Sequence, residues 1–301
     1  MSATSLERPL LQPAFASVSR SRKAKNWVAA VLVSVAFVIA LVPLLWVLYT
    51  VIVRGYQAVI TASWWTHSQR GILPDDFGGG VYHALYGTIF QSLIASVVAV
   101  PLGILVAIYL VEYGRGAVAR TTTFMVDVLS GIPSIVAALF VFSVWITTLG
   151  FETSAFAVSL ALILLMLPVV IRSAEEMLRL VPDELREASY ALGVSRSTTI
   201  LRVVLPSAVS GIISGILLAI ARVMGETAPV LVLVGYTTSI NRDVFHNNMA
   251  SLPLVIYNEL TNPTAAGQQR VWGAALTLIL LIAFLNLLAA VVARVAAPKT
   301  N

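Results

Sequence analysis

The sequence predicts an all-α integral membrane protein with six transmembrane helices. Three observations carry this expectation. Of the 301 residues, 58% are hydrophobic and only 11% charged. The mean hydropathy is +0.91, far above the balance of a soluble domain. And six apolar stretches reach the length of about 20 residues that a helix needs to cross a bilayer.

The first stretch runs from Trp27 to Val53, behind a basic prelude of Arg20, Arg22, Lys23 and Lys25. It is too long for a signal-peptide core and has no clear small-residue cleavage site behind it, so it reads as a retained helix. The segment before Ser19 is polar and Pro-containing, the composition of a mobile tail. The second and third stretches are Ala84–Val111 and Thr123–Leu149, the fourth Ser154–Ile171, the fifth Ser207–Tyr236 and the sixth Val271–Ala296.

Basic residues set the orientation. Lys and Arg gather beside the ends that place both termini in the cytoplasm, and the outside loops hold only Arg54, Arg70, Arg242 and Arg270. The first outside loop, Arg54 to His83, carries Trp64-Trp65, suited to a lipid interface, and Gly78-Gly79-Gly80, suited to a flexible turn. The second, Thr237 to Arg270, contains the apolar run Leu252–Tyr257, too short to span; it either dips back into the protein or lies at the interface.

Several function classes are excluded or disfavoured. There is no cysteine, so no disulfide or thiolate metal site exists, and the three histidines, His67, His83 and His246, are far apart in sequence. The net charge of +5 forms no basic stripe interleaved with aromatics, which argues against nucleic acid. The only lysines are Lys23, Lys25 and Lys299, so the Gly-Lys-Ser/Thr of a nucleotide-binding P-loop is missing.

Between the fourth and fifth stretches lies a charged cytoplasmic loop, Arg172 to Pro206, patterned as two short helices. Pro182 fits a first helical position, with Asp183 and Glu184 in the first turn where the helix dipole favours acids. Gly193 reads as a C-terminal cap and Ser195 as the N-cap of a second helix carrying Ile200, Leu201, Val203 and Val204. From the pattern alone, two readings stand: a helix that docks on a soluble partner, or one that lies on lipid. The residues Glu187-Ala188-Ser189, Gly193, Val203 and Leu205-Pro206 resemble the EAA signature of ABC importer permeases, with its spacing intact. Ser189 and Val203 replace the signature's second alanine and its isoleucine. The resemblance implies a type I, MetI-like permease core in which Pro182 to Leu205 insert into separate ATPase subunits. Glu187, Ala188, Gly193, Leu205 and Pro206 are then the ATPase-coupling residues.

Three ionisable residues fall well inside apolar stretches, away from their ends: Asp127, Arg222 and Glu226. Each costs about 2.5–3.5 kcal/mol at mid-bilayer on insertion scales, and such groups face a cavity or a partner. Arg222 and Glu226 are four apart, which on an unbroken helix puts them within reach, with Ser210 and Ser214 continuing that face. Ser207, Gly211, Gly215 and Ala219 form an opposite stripe of small residues suited to close helix packing. Two roles remain open for Arg222 and Glu226: an ion pair that only locks helices, or a guanidinium fork offered to a tetrahedral oxyanion. Asp127 would repel an anion and reads as structural or as an arginine's partner. It starts a polar face with Ser130, Gly131 and Ser134, where Pro133 breaks the helical ladder; the serines either line a pore or bond back to their own turn. Thr88, Gln91, Ser92 and Ser96 read as packing groups.

Arg222 to Pro229 (R-V-M-G-E-T-A-P), together with Ser130 to Val136 and Ile171 to Leu178, resembles the PstA-type permease subunits of bacterial phosphate importers, over about His83 to Arg294. The resemblance implies a substrate pathway through Arg172, Arg222 and Glu226, with Ser130, Ser134 and Thr227 beside it. On residues alone, Arg172 equally fits a snorkelling anchor at a span end. It further implies a second, PstC-type permease, two PstB-type ATPase subunits that bind ATP and Mg, and a PstS-type phosphate-binding protein outside. No cofactor is expected on this chain. Another oxyanion (sulfate, molybdate or tungstate, phosphonate), a secondary transporter and a channel are the alternatives. The expected organisation is a cytoplasmic tail (1–26), the first span with its outside loop (27–83), a permease core (84–297) containing the coupling loop (172–206), and a cytoplasmic C-terminus (298–301), in a bacterial inner membrane.

Overall fold

The computed structural model describes residues 19–296, and every regular element among them is helical. The expected tail before Ser19 and the extreme C-terminus lie outside the described residues. The chain divides into two units, residues 1–50 and 51–301. The described part of the first is the greater part of α1 (Arg20–Val59), which begins at the basic prelude and exposes large apolar side chains such as Trp27, Phe37 and Trp46.

The second unit is a helical bundle. After the end of α1 come α2 (Ala62–Thr66), α3 (Tyr82–Ile108), α4 (Gly116–Ser130), α5 (Ser134–Val141) and α6 (Ala155–Arg179). Then follow α7 (Asp183–Ala191), α8 (Arg196–Thr199), α9 (Leu205–Met224), α10 (Ala228–Leu233), α11 (Leu252–Leu260) and α12 (Ala265–Ala296). Wide π-helical turns continue α3 through Tyr109–Tyr113 and α5 through Phe142–Thr148, and a third, Ile200–Val204, joins α8 to α9.

Among the described residues, five helices are long and apolar enough to cross a membrane, and a sixth crossing exists only if a bent pair is counted as one span. That pair corrects the third expected span. Residues Thr123–Leu149 do not form one helix: Gly116–Ser130 and Ser134–Thr148 meet at 104°. The cause is local. The Gly131 N–H closes the end of α4 on the Asp127 carbonyl at 3.3 Å, and Pro133, which has no N–H and disfavours helix at Ile132, prevents continuation.

The fifth expected span is corrected in two ways. Its helix begins at Arg196, because the loop's second short helix runs into it without interruption. It then stops at Met224, and the short α10 follows after a break. Pro229 accounts for the break, since its ring would clash with the Gly225 carbonyl and it offers no N–H to bond there. The fourth span also continues past Ile171, to Arg179.

One more reading changes in the first outside loop, another there agrees, and one is resolved in the second. Trp64 is 4% exposed rather than interfacial, and its indole N–H donates to the Thr277 hydroxyl at 2.9 Å. Gly78 and Gly79 adopt positive φ, as a tight turn requires. The Leu252–Tyr257 run becomes the start of α11 and buries Leu252, Leu254 and Val255 inside the protein.

The centre of the bundle is the pair α3 and α6. They run parallel: the Ser159 hydroxyl donates to the Gln91 carbonyl at 3.1 Å, and further along both helices Gly103 lies against Val170. α9 crosses α6 in the opposite sense, Gly211 facing Met177 and Gly215 facing Ser173. The small stripe on α9 thus does what its spacing predicted. A Cβ at Gly215 would meet the Ser173 Cβ at 2.5 Å, so only glycine lets the two helices approach this closely.

Candidate functional site

The break in α4–α5, the last turns of α6 and the end of α9 enclose a cleft of about 240 Å³. α6 supplies most of its wall, because Leu165, Pro168, Val169, Arg172, Ser173 and Glu176 recur at three- and four-residue steps and share one face. Leu129, Ser130 and Ile132 close one side at the bend, and Arg222 enters from the last turn of α9.

Of the six residues expected in a substrate pathway, this brings three together: Arg172, Arg222 and Ser130. Ser134 lies beyond the bend as the first residue of α5. Glu226 and Thr227 fall in the break between α9 and α10, outside the cleft lining. The Arg222–Glu226 ion pair, one of the two roles left open, does not form, because the helix that would have aligned them ends at Met224. Gly225 caps it, its N–H donating to the Arg222 carbonyl at 3.2 Å.

The two arginines differ in their partners. Arg172 is ion-paired to Asp127 on α4 and, at 2.8 Å, to Glu175 one turn along α6. Glu175 is buried and also receives Arg179 at 2.6 Å. Among the described residues Arg222 forms no ion pair, and it is exposed. Asp127 therefore takes the role of an arginine's partner that its charge suggested. The Ser130 hydroxyl donates to the Val126 carbonyl at 2.9 Å, so its proton is committed to its own turn. Ser173 and Glu176 are cleft residues that the sequence reading did not single out. Their signal was helical spacing, Glu176 lying four residues after Arg172 and Ser173 four after Val169, on a helix longer than expected.

This arrangement leaves one guanidinium, uncommitted among the described residues, over a small polar cleft. By the rise of about 1.5 Å per residue, Arg222 stands seven residues, roughly 10 Å, along α9 from the Gly215–Ser173 crossing. Arg172 lies beside that crossing, so the two arginines occupy successive levels of one cleft.

The loop between α6 and α9 forms the two short helices that its sequence suggested. Pro182 is the residue before α7 rather than its first, and Asp183 and Glu184 fill the first turn. Gly193 has φ +75° and its N–H closes on the Tyr190 carbonyl at 2.9 Å. The Ser195 hydroxyl caps α8 by accepting from the Thr198 N–H at 3.4 Å. Glu187 and Ala188 are exposed, as are Leu185, Tyr190, Leu192 and Leu201.

The described residues thus form a bundle of apolar helices with two interrupted spans, a charged cleft at one interruption and an exposed amphipathic loop helix. A profile for the binding-protein-dependent transport system inner membrane component matches residues 99–301. The phosphate transport system permease protein PstA 1 of Mycobacterium tuberculosis strain H37Rv is 64% identical over 296 residues, 98% of this chain and 96% of its own length. PstA of Mycobacterium leprae is 63% identical over 96% of this chain and 95% of its own, and that of Yersinia pestis 38% identical over 90% of each. Among solved structures, a methionine ABC transporter, MetNI, superposes with a TM-score of 0.57 at 18% identity, over 73% of this chain and 95% of that one. A bacterial alginate ABC transporter in complex with its alginate-bound periplasmic protein gives 0.62 at 15%, over 89% and 94%. The chain belongs to the binding-protein-dependent inner membrane permeases, and within them to the PstA-type phosphate transport permeases. It is a multi-pass membrane protein and a transport subunit of an ABC system, without an ATPase site of its own.

Proposed function

We propose that this chain forms half of the translocation pathway of an ATP-driven importer of inorganic phosphate, and that the arginine cleft is its substrate contact. The observation that carries the reading is the contrast between Arg222, unpaired among the described residues, and Arg172, held by two carboxylates in the same cleft. A guanidinium offers a planar fork of donors that matches a tetrahedral oxyanion. The substrate meets Arg222 first and then reaches the level of Arg172, where it competes with Asp127. The names carried by the relatives supply the substrate.

The partners follow from the same reading: a PstC-type second permease, two PstB-type ATPases carrying ATP and Mg, and a PstS-type binding protein on the opposite side. The α7 helix marks the cytoplasmic end, both termini face inside, and Arg222 stands nearer the outside than Arg172. Glu187, Ala188 and Gly193 belong to the ATPase contact, with Leu205 and Pro206 at its junction with α9. In the cycle, ATP binding draws the two ATPases together, moves α7 and opens the cleft outward; hydrolysis resets it.

The test is ATP-dependent uptake of radiolabelled phosphate into vesicles holding the whole complex. Loss of uptake in Arg222→Gln, with assembly intact and no competition from sulfate, supports both substrate and site. Competition by sulfate, molybdate or phosphonate moves the substrate to another oxyanion. Uptake that needs no ATP and collapses with a proton uncoupler would sink the ABC reading in favour of a secondary transporter.

A further inference from the structure

We propose that the ion pair between Arg186 of α7 and Glu112, in the π-helical turn that ends the second span, is the joint through which motion of the loop helix reaches the membrane spans. The inference rests on the reading that α7 docks on an ATPase.

The Arg186 guanidinium has five N–H donors, and the structure uses them on three separate segments. Nε and Nη2 both donate to Glu112 Oε1, at 3.2 and 3.0 Å. Nη2 also donates to the Leu178 carbonyl in the last turns of α6 at 2.9 Å. Nη1 donates to the Val181 carbonyl at 2.6 Å and to Asp183 Oδ1 at 3.0 Å. The side chains are 12% and 4% exposed, so the pair sits inside the protein although it connects a surface helix.

Much of the rest of α7 is turned outward: Leu185, Glu187, Ala188 and Tyr190 are exposed. Its inner face is Arg186 and, three residues on, Ser189, whose hydroxyl bonds that of Thr199 on α8 at 2.8 Å. α7 is therefore tied on one side to the ends of α3 and α6 and on the other to the helix that becomes α9. A helix fastened only by apolar contact can slide or roll on its neighbours. A planar fork bonded to a buried carboxylate and two backbone carbonyls fixes both position and orientation. A push on the outer face of α7 is thereby delivered to α3 and α6, the two helices that form the centre of the bundle, and α6 carries Arg172.

Glu112 and Arg186 are positioning residues, and the readout that isolates their role is the number of ATP molecules hydrolysed per phosphate imported. The complete importer, reconstituted in proteoliposomes with its binding protein, is assayed for both quantities in the same preparation. Glu112→Gln keeps the side-chain volume and removes the charge; Arg186→Lys keeps the charge and removes the fork. Each is expected to hold hydrolysis within about twofold of native while uptake falls at least fivefold, and Glu112→Asp is expected to recover part of the uptake. A ratio that stays at the native value, whether both rates fall together or neither changes, overturns the joint. Where Glu112→Gln fails to assemble, Arg186→Lys decides. Absence of ATP-driven phosphate uptake in the native complex would instead refute the import reading beneath the proposal, and is distinguished from the joint's failure by that control.

Discussion

Asp127, one turn before the bend that ends α4, is ion-paired to Arg172 on α6. Their side chains are 61% and 33% exposed, whereas Glu175, the second carboxylate on Arg172, is only 6% exposed. Exposed pairs are worth about 0–1 kcal/mol, and breaking a buried one by removing a partner costs about 3–5 kcal/mol. On the proposed substrate role of Arg172, an incoming anion would take the place of Asp127 while Glu175 keeps Arg172 in position.

Asp127→Asn removes that internal competitor. The apparent KM for phosphate is expected to fall by about 1.4- to fivefold, which corresponds to the roughly 0.2–1 kcal/mol of an exposed pair. The maximal rate is expected to fall with it, because Asp127 no longer helps displace the bound anion. Initial-rate uptake over a range of phosphate concentrations separates the two parameters, and an unchanged KM would remove Asp127 from the exchange.

Arg222→Gln deletes the uncommitted guanidinium. Hydrogen bonds to charged groups contribute about 1.5–3 kcal/mol, so kcat/KM for phosphate is expected to drop by roughly 10- to 100-fold. Arg222→Lys keeps the charge without the fork and is expected to fall between the two. Because Arg222 has no ion-pair partner among the described residues, neither change leaves a buried carboxylate behind, and the complex is expected to assemble. Uptake at the native level in Arg222→Gln would place the pathway elsewhere.

Much of this site was legible in the sequence because a charge in an apolar run is a signal that needs no partner to be seen. Asp127 and Arg222 were visible in that way, Arg172 came in only through the family motif at the end of the fourth stretch, and the small stripe Gly211, Gly215 and Ala219 gave the packing face of α9. What was not legible depended on where helices stop. Reading Ser207–Tyr236 as one helix placed Glu226 beside Arg222, and the break forced by Gly225 and Pro229 separates them instead. Pro133 marked a break inside Thr123–Leu149, but reading the stretch as one span missed the size of the bend, 104°. Glu112 and Arg186 escaped for a different reason. They are 74 residues apart in sequence, Glu112 at a span end and Arg186 within a charged loop helix, two places where a charged residue is the ordinary expectation.

Gly215 tests the close crossing of α6 and α9. A Cβ there meets the Ser173 Cβ at 2.5 Å and its Oγ at 3.0 Å, so Gly215→Ala forces the helices apart at about 1–3 kcal/mol. The thermal midpoint of the purified complex is expected to fall. Ser173→Gly in the same chain removes the opposing atoms and is expected to recover most of the loss, because contacting sites do not add. Full additivity of the two changes would contradict the contact.

Gly193 allows conformation to be tested apart from space. Its φ of +75° lies in the left-handed region, yet a Cβ at this position would have no atom within 4 Å. A substitution therefore meets no neighbour, and whatever it costs comes from the backbone, about 1–2 kcal/mol for an ordinary residue. Asparagine visits this region more readily than valine, whose branched Cβ makes it a genuine outlier there. Gly193→Asn is accordingly expected to retain coupled transport and Gly193→Val to lose it, with loosening of the Ala188–Val194 turn visible as faster amide hydrogen exchange. Equal behaviour of the two variants would mean that the residue matters through an ATPase surface packed against it and not through the turn. In that case Gly193→Ala, the smallest added group, would impair transport about as much as valine does, whereas a purely conformational cost would rank alanine between asparagine and valine.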